Sequence, residues 1–319
     1  MNLNGIHHVT AVSARIGENA DFYTRVLGLR LVKKSVNQDD VSAYHLFYAD
    51  KIGSPGTDMT FFDWPTIGND RRGTDSIVTT AFRVNGRNAL EYWAQRFDEL
   101  GVTHHGIEQF AGRDVLRFED PEAQRLILVD DGGATYEGEI WDGSDVPTEH
   151  AIRGFYAIML SVPQLANVGP ILTQLLEFKE DQRSTYPEGQ EAIIYTIGEG
   201  GPGRELWLVE EPDKALARLG AGGVHHVAFR VANEDEQAYW HNRLTSIGLP
   251  VSDFIDRYYF KSIYFRISNG ILFEIATDGP GFATDEDLDT LGERLALPPF
   301  LESRRQQIEA NLKPIEMPS

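Results

Sequence analysis

One unit written four times constrains this chain more than any other feature. Ser76-Ile77-Val78-Thr79-Thr80-Ala81-Phe82-Arg83-Val84 and Gly223-Val224-His225-His226-Val227-Ala228-Phe229-Arg230-Val231 share their last four residues, Ala-Phe-Arg-Val. Stretches opening at Gly5 and Gly154 fit the same template, so starts at 5, 76, 154 and 223 recur roughly every 70 residues. Self-similarity at a fixed period marks a repeated supersecondary unit and has to be read before any local motif.

Each start reads as an apolar strand, and a helical pattern follows it. Asn19 to Leu27 stops at Gly28, Ala89 to Leu100 at Gly101, and Glu236 to Ile247 at Gly248. A glycine just past the last apolar position supplies a left-handed helix stop. The third helix, Val168 to Phe178, ends in Lys179-Glu180 without one. Aromatic and β-branched runs come next (Tyr44 to Tyr48, Ala192 to Ile197, Ser262 to Ile267). A last apolar strand then closes each unit: Met59 to Phe62, Leu126 to Val129, Leu206 to Val209 and Ile271 to Ala276. A unit this small cannot bury both faces of its own sheet. The expectation is an α+β fold of four βαβββ modules in two tandem domains, 1–145 and 146–319, forming cupped mixed sheets. The Gly, Asp and Glu-rich stretch from Asp130 to Glu149 is the linker between the halves. The glycine cluster from Gly198 to Gly203 reads as a hairpin, and Phe300 to Leu312 as an amphipathic helix on the outside.

Bulk properties exclude several classes. The chain has no cysteine, which rules out disulfides, thiolate catalysis and sulfur-ligated metals. A net charge of −20 disfavours nucleic acid and anionic membrane, because phosphate binding needs concentrated Lys and Arg. No apolar run approaches the roughly 20 residues of a membrane span. Met1 to Gly5 lacks a basic region followed by an apolar one, so a cytoplasmic location is expected. No phosphate-binding glycine loop or nucleophile elbow is present.

The repeat also isolates the chemistry. His226 aligns with His8, Thr79 and Ala157 in the other modules, so the fold does not require histidine there. Glu274 interrupts the apolar run Ile271-Leu272-Phe273-Glu274-Ile275-Ala276. An ionised carboxylate buried there costs several kcal/mol unless it is paired or metal-bound. Two imidazoles and a carboxylate form the facial triad that holds a divalent metal, typically Fe(II), with further positions open. His8 and His226 are 218 residues apart, so modules one and four must share the metal site. The counterpart of Glu274 in the other modules is expected near Phe61 or Phe62, Leu128 and Leu208, with phenylalanine standing where a fourth ligand would close the site. A lone strand histidine is ordinarily a packed core residue. His45, His150 and His241 are read as packing or surface residues, and His104-His105 as the start of a strand.

Taken together, these segments resemble the vicinal oxygen chelate superfamily, which includes glyoxalase I and extradiol dioxygenases. More closely, the chain is similar to ring-cleaving dioxygenases acting on hydroquinones. The matching segments are Ile6-His7-His8-Val9-Thr10, Tyr44-His45-Leu46-Phe47-Tyr48-Ala49-Asp50, Gly53-Ser54-Pro55-Gly56-Thr57, His225-His226, Phe273-Glu274-Ile275-Ala276, and Gly281-Phe282 with the acidic residues after it. The resemblance implies Fe(II) on His8, His226 and Glu274, with Mn or Zn as alternatives in purified protein. It places Thr10, His225 and Tyr264 around the metal, with His7 a candidate to join them. Relatives acting on chlorinated hydroquinones carry an arginine slightly later in the loop that here reads Arg257-Tyr258-Tyr259-Phe260, so Arg257 is the candidate replacement. The implied partners are a small aromatic substrate and O2, with neither nucleic acid nor membrane, and a homo-oligomer is compatible. Phe61, Phe62 and Tyr44 are expected to line the ring pocket, and His225 or Tyr264 to move protons. A glyoxalase-type lyase or isomerase and a resistance-type binding protein are the rival readings. Adjacent strand residues point to opposite faces, so His225 and His226 can share one site only if the strand bends or bulges there.

Overall fold

The computed structural model describes residues 1–268 and 270–315. Module one comprises β1 (Ile6–Ser13), α1 (Ile16–Asp21), β2 (Arg30–Asn37), β3 (Asp40–Ala49) and β4 (Asp58–Asp63). Module two comprises β5 (Ser76–Val84), α2 (Arg87–Leu100), β6 (His104–Phe110), β7 (Arg113–Glu119) and β8 (Arg125–Asp130). Module three has β9 (Phe155–Val162), α3 (Leu165–Pro170), β10 (Lys179–Thr185), β11 (Glu191–Thr196) and β12 (Glu205–Glu210). Module four has β13 (Val224–Val231), α4 (Glu234–Ser246), β14 (Ile255–Asp256), β15 (Lys261–Ile267) and β16 (Ile271–Thr277). The helix stops fall where glycine tolerates a left-handed backbone, as at Gly101. In module three Glu177 takes that conformation itself, at φ +62°, which explains the missing glycine.

Each of the two curled eight-stranded sheets takes one module from either half of the chain. One runs β14-β15-β16-β13-β1-β4-β3-β2, joining modules four and one; the other runs β10-β11-β12-β9-β5-β8-β7-β6, joining three and two. The sheets meet through close backbone crossings. Gly5 and Gly154 hold φ of +124° and +90°, and a Cβ on them would lie 2.7 Å from the Gly203 oxygen and 2.6 Å from the Gly56 oxygen. One contiguous apolar cluster then joins both sheets with α1 to α4, through residues such as Ala20, Trp93, Val168 and Trp240.

The central strands are not regular. Across β1 and β13, Ile6 faces Phe229 and His8 faces Ala228, leaving His7 as an extra residue. Thr10 faces His226 while Ala11 faces Val224, leaving His225 extra. In the second sheet Val78 and Tyr156 are the extra residues, at the matching positions. The bulge therefore belongs to the repeat rather than to the histidines. A bulge re-aims its side chain, so both residues of each His-His pair can serve one side of the sheet.

The C-terminal segment packs on module one as two short helices, α5 (Pro299–Glu302) and α6 (Arg305–Asn311), not as one. Before them, the stretch from Phe282 to Leu291 is anchored by Lys33. Its fully buried ammonium donates to Asp285 at 2.7 Å, to the Phe282 carbonyl at 3.1 Å, and to Glu286. Phe282 and Leu291 thereby pack with Tyr259 and Phe260 into one apolar cluster. Breaking a buried pair from one side leaves an uncompensated charge. Lys33→Ala should lower unfolding free energy by about 3–5 kcal/mol in urea titration; a loss below about 1 kcal/mol would show the ion pair is not what secures this segment.

Candidate metal centre

Strands β1, β13 and β16 lie side by side in the first sheet, and the register does the assembling. Glu274 pairs with Ala228, two residues beyond His226, and Ala228 in turn faces His8. His8 Nε2, His226 Nε2 and Glu274 Oε2 stand 3.3, 3.2 and 3.0 Å apart pairwise. An octahedral ion with bonds of about 2.1–2.3 Å has face edges of about 3.0–3.3 Å. The three atoms thus outline one face of such an octahedron. All three residues are buried, and they could hold one metal ion.

The hydrogen-bond network fixes which atoms carry protons. The Thr277 carbonyl can only accept, so His7 Nε2 donates to it at 3.2 Å. Burial, followed by the charge that His8 can carry, pushes the His7 pKa well down, so the ring is neutral. A neutral ring protonated at Nε2 accepts at Nδ1, so His8 Nδ1 donates across the 2.9 Å contact. In a neutral His8 imidazole that arrangement turns the lone pair of Nε2 toward Glu274. Ser262 donates to Glu274 Oε1, while Oε2 is buried and, among the described residues, has no assigned hydrogen-bond partner. Burial raises the Glu274 pKa, but the positive charge that His8 and His226 can carry outweighs it and holds the carboxyl well below its ordinary range. A lone pair and an unpartnered carboxylate oxygen at 3.2 Å repel each other unless a cation lies between them. The donor set fits a divalent metal on this ground.

Module four repeats the arrangement of module one. His225 Nδ1 and His226 Nδ1 are 2.8 Å apart, made possible by the bulge. The His225 pKa is lowered to about 3 by burial and then by His226. Tyr264 pairs with Glu274 across β15 and β16, and burial followed by the charge of Glu274 pushes its phenol up. Its oxygen accepts from Arg257 Nε at 3.2 Å, and Arg257 also binds Asp39 at 3.1 Å.

The triad opens into a cavity of about 330 Å³. Phe47, Phe62, Trp64 and Phe260 line it, with polar groups from Thr10, His45, His225, Arg257 and Tyr264. The expected ligands His8, His226 and Glu274 come together, and Thr10, His225, Arg257 and Tyr264 reach the cavity. The expected pocket aromatics require correction. Phe62 lines the cavity, but Phe61 and Tyr44 point the other way, into the main core. The counterpart of Glu274 in module one is likewise not a phenylalanine. Thr10 faces Thr60, as Ala228 faces Glu274, so the fourth position is Thr60. In modules two and three it is Ile127 and Trp207, not Leu128 and Leu208. A one-residue slip in strand register exchanges the two faces of a sheet, which accounts for all three errors.

His45, read as packing or surface, packs between aromatic rings and also lines the cavity, and Ser262 and Thr60 were not singled out. The available signal was alternation: Tyr44, Leu46 and Tyr48 enter the core, so His45 and Phe47 must face the other way. In the second sheet the corresponding face is closed by Ala157, Ile127, Ala192 and Trp207, which form an apolar cluster of their own.

The profile of the Glyoxalase/Bleomycin resistance protein/Dioxygenase superfamily matches residues 5–127 and 154–280. A Bacillus subtilis (strain 168) protein provisionally named ring-cleaving dioxygenase MhqA is 49% identical over 316 residues, covering 99% of this chain and 100% of that one. Chlorohydroquinone/hydroquinone 1,2-dioxygenase of Sphingobium indicum is 29% identical over 315 residues, covering 96% and 95%. The crystal structure of a provisionally named dioxygenase from Bacillus subtilis strain 168 superposes with a TM-score of 0.89 at 35% identity, covering 100% and 99% of the two chains. Glyoxalase I from Zea mays shares the fold, with a TM-score of 0.62 at 12% identity over 86% and 92%.

A ligand bound only by the native state stabilises it, by about 2.7 kcal/mol at one hundred times its dissociation constant. Zn(II) or Fe(II) added to metal-stripped protein should therefore raise the calorimetric melting temperature. Glu274→Ala should remove that rise; an equal rise in the variant would place the ion elsewhere.

Proposed function

We propose that this chain, which belongs to the Glyoxalase/Bleomycin resistance protein/Dioxygenase superfamily, is an Fe(II)-dependent dioxygenase that opens hydroquinone-type rings with O2. The observation that carries the reading is the triad open on one side into an aromatic-walled cavity. Similarity to ring-cleaving dioxygenases, one of them named for hydroquinone, supports the reaction class. His8, His226 and Glu274 would hold the metal, which when bound supplies Lewis-acid polarisation and a redox partner for O2.

The chain's own residues hold and orient the ring. Phe47, Phe62, Trp64 and Phe260 pack its faces and keep bulk water away. Tyr264, kept protonated by burial and with its oxygen already accepting from Arg257, is free to donate its own O–H toward a ring oxygen. Neutral His225, whose Nδ1 is taken up by the ligand imidazole, presents Nε2 as a second donor. Overall, the carbon–carbon bond beside a hydroxyl-bearing carbon breaks, and both atoms of O2 enter the open-chain product. A glyoxalase-type reaction would draw on a fourth protein ligand, and Thr60 stands at that position.

Iron-loaded protein offered hydroquinone, methylhydroquinone and catechol should consume one O2 per ring opened for at least one of them. No uptake with any, despite one bound iron per chain, would overturn the reading. Tyr264→Phe should keep its iron and lose about 10- to 100-fold in kcat/KM, the worth of one hydrogen bond to a charged oxygen; unchanged kcat/KM would remove Tyr264 from the substrate site.

A further inference from the structure

We propose that His45 is the proton acceptor of this site, connected to its metal side by a relay through Thr60 and Thr10; the inference rests on the ring-opening function proposed above. Thr10 Oγ1 and Thr60 Oγ1 are 2.8 Å apart, and Thr60 Oγ1 lies 2.9 Å from His45 Nε2. Thr10 and His45 both line the cavity, while Thr60 sits fully buried behind them. Thr10 faces His226 across the strands and follows His8 by two residues, so its hydroxyl marks the metal end of the chain. The His45 ring is fixed between Phe47 and Phe62, with centroid distances of 4.0 and 4.5 Å.

The internal symmetry of the sheet gives this pair its meaning. His45 faces Phe62, two residues past Thr60, just as Ser262 faces Ala276, two residues past Glu274. Ser262–Glu274 and His45–Thr60 are therefore the same hydrogen-bonded pair in two modules. Module four uses it to fix a carboxylate. Module one replaces the carboxylate with a hydroxyl, which can both accept and donate, and backs it with an imidazole.

Competing groups are already committed. His7 and His225 each give Nδ1 to a ligand imidazole, and His7 Nε2 is bound to the Thr277 carbonyl. Tyr264 is held as an acid. Burial, and then the charges that His8 and His226 can carry, push the His45 pKa well down, so its ring is neutral and one nitrogen has a lone pair. The charged groups facing it are His8, His226, Glu274 and Arg257, the last paired with Asp39.

The transfer balances without a redox partner. The ring O–H bond breaks and its proton goes to Thr10 Oγ1. The proton of Thr10 passes to Thr60 Oγ1, and that of Thr60 to His45 Nε2. A phenolate and an imidazolium result, and the reverse sequence returns a proton to a product oxygen.

The test uses the iron-loaded protein and the variants His45→Gln, Thr60→Val and Thr60→Ser. His45→Gln and Thr60→Val should each lower kcat/KM for hydroquinone by about 100- to 10,000-fold. Both should abolish the acid-side fall of the pH profile while iron content stays constant. Thr60→Ser should restore activity, and the double variant should be no worse than either single one. Anaerobic mixing with hydroquinone should give phenolate absorbance in the wild type and not in Thr60→Val. A wild-type phenolate signal that persists unchanged in Thr60→Val, or multiplicative losses in the double variant, would overturn the relay alone. Absence of the signal in the wild type would overturn the ring-opening reading, and the relay with it.

Discussion

Antiparallel pairing of β1 with β13 is the contact on which the rest depends. It joins the first strand of the chain to one that begins more than two hundred residues later, and it sets Thr10 against His226. Parallel pairing of β13 with β16 then brings Glu274 to the same side. Neither pairing is local, so the site exists only once modules one and four share a sheet. The second sheet repeats the topology with Thr79, Ala157, Ile127 and Trp207 at the equivalent positions, so the architecture does not require histidine or glutamate there.

The buried carboxylate gives that architecture a direction. Glu274 receives a hydrogen bond from Ser262, and its other oxygen, without an assigned partner among the described residues, faces two imidazole nitrogens. The proton inventory that begins at the Thr277 carbonyl ends, for a neutral His8, with a lone pair on its Nε2. Such convergence is costly in an interior of low dielectric and favourable around a cation. The partial duplication of the two modules matters as much. Equivalent strand positions hold Glu274 with Ser262 on one side and Thr60 with His45 on the other, so one side offers a ligand and the other does not.

Much of this was legible in the amino-acid sequence, because period and alternation are direct records of packing. The four units, the pairing of the outer two, and the convergence of His8, His226 and Glu274 followed from matching positions and from an acid in an apolar strand. What failed was register. The closing strands read Met59-Thr60-Phe61-Phe62 and Arg125-Leu126-Ile127-Leu128-Val129, with too few polar residues to show which face is which. A slip of one residue therefore put phenylalanine where threonine stands. The bulges at His7 and His225 leave no composition signature, yet they decide that both imidazoles of each pair reach one site. His45 was hidden for the opposite reason, since its aromatic neighbours made a polar wall look like core.

Anomalous diffraction at the iron edge from crystals of the iron-loaded protein addresses the central claim directly. The account predicts a single strong peak about 2.1–2.3 Å from His8 Nε2, His226 Nε2 and one Glu274 oxygen, with its remaining side toward the aromatic cavity. A peak bound by other residues, or a fully occupied iron closed on all sides by protein, would contradict it.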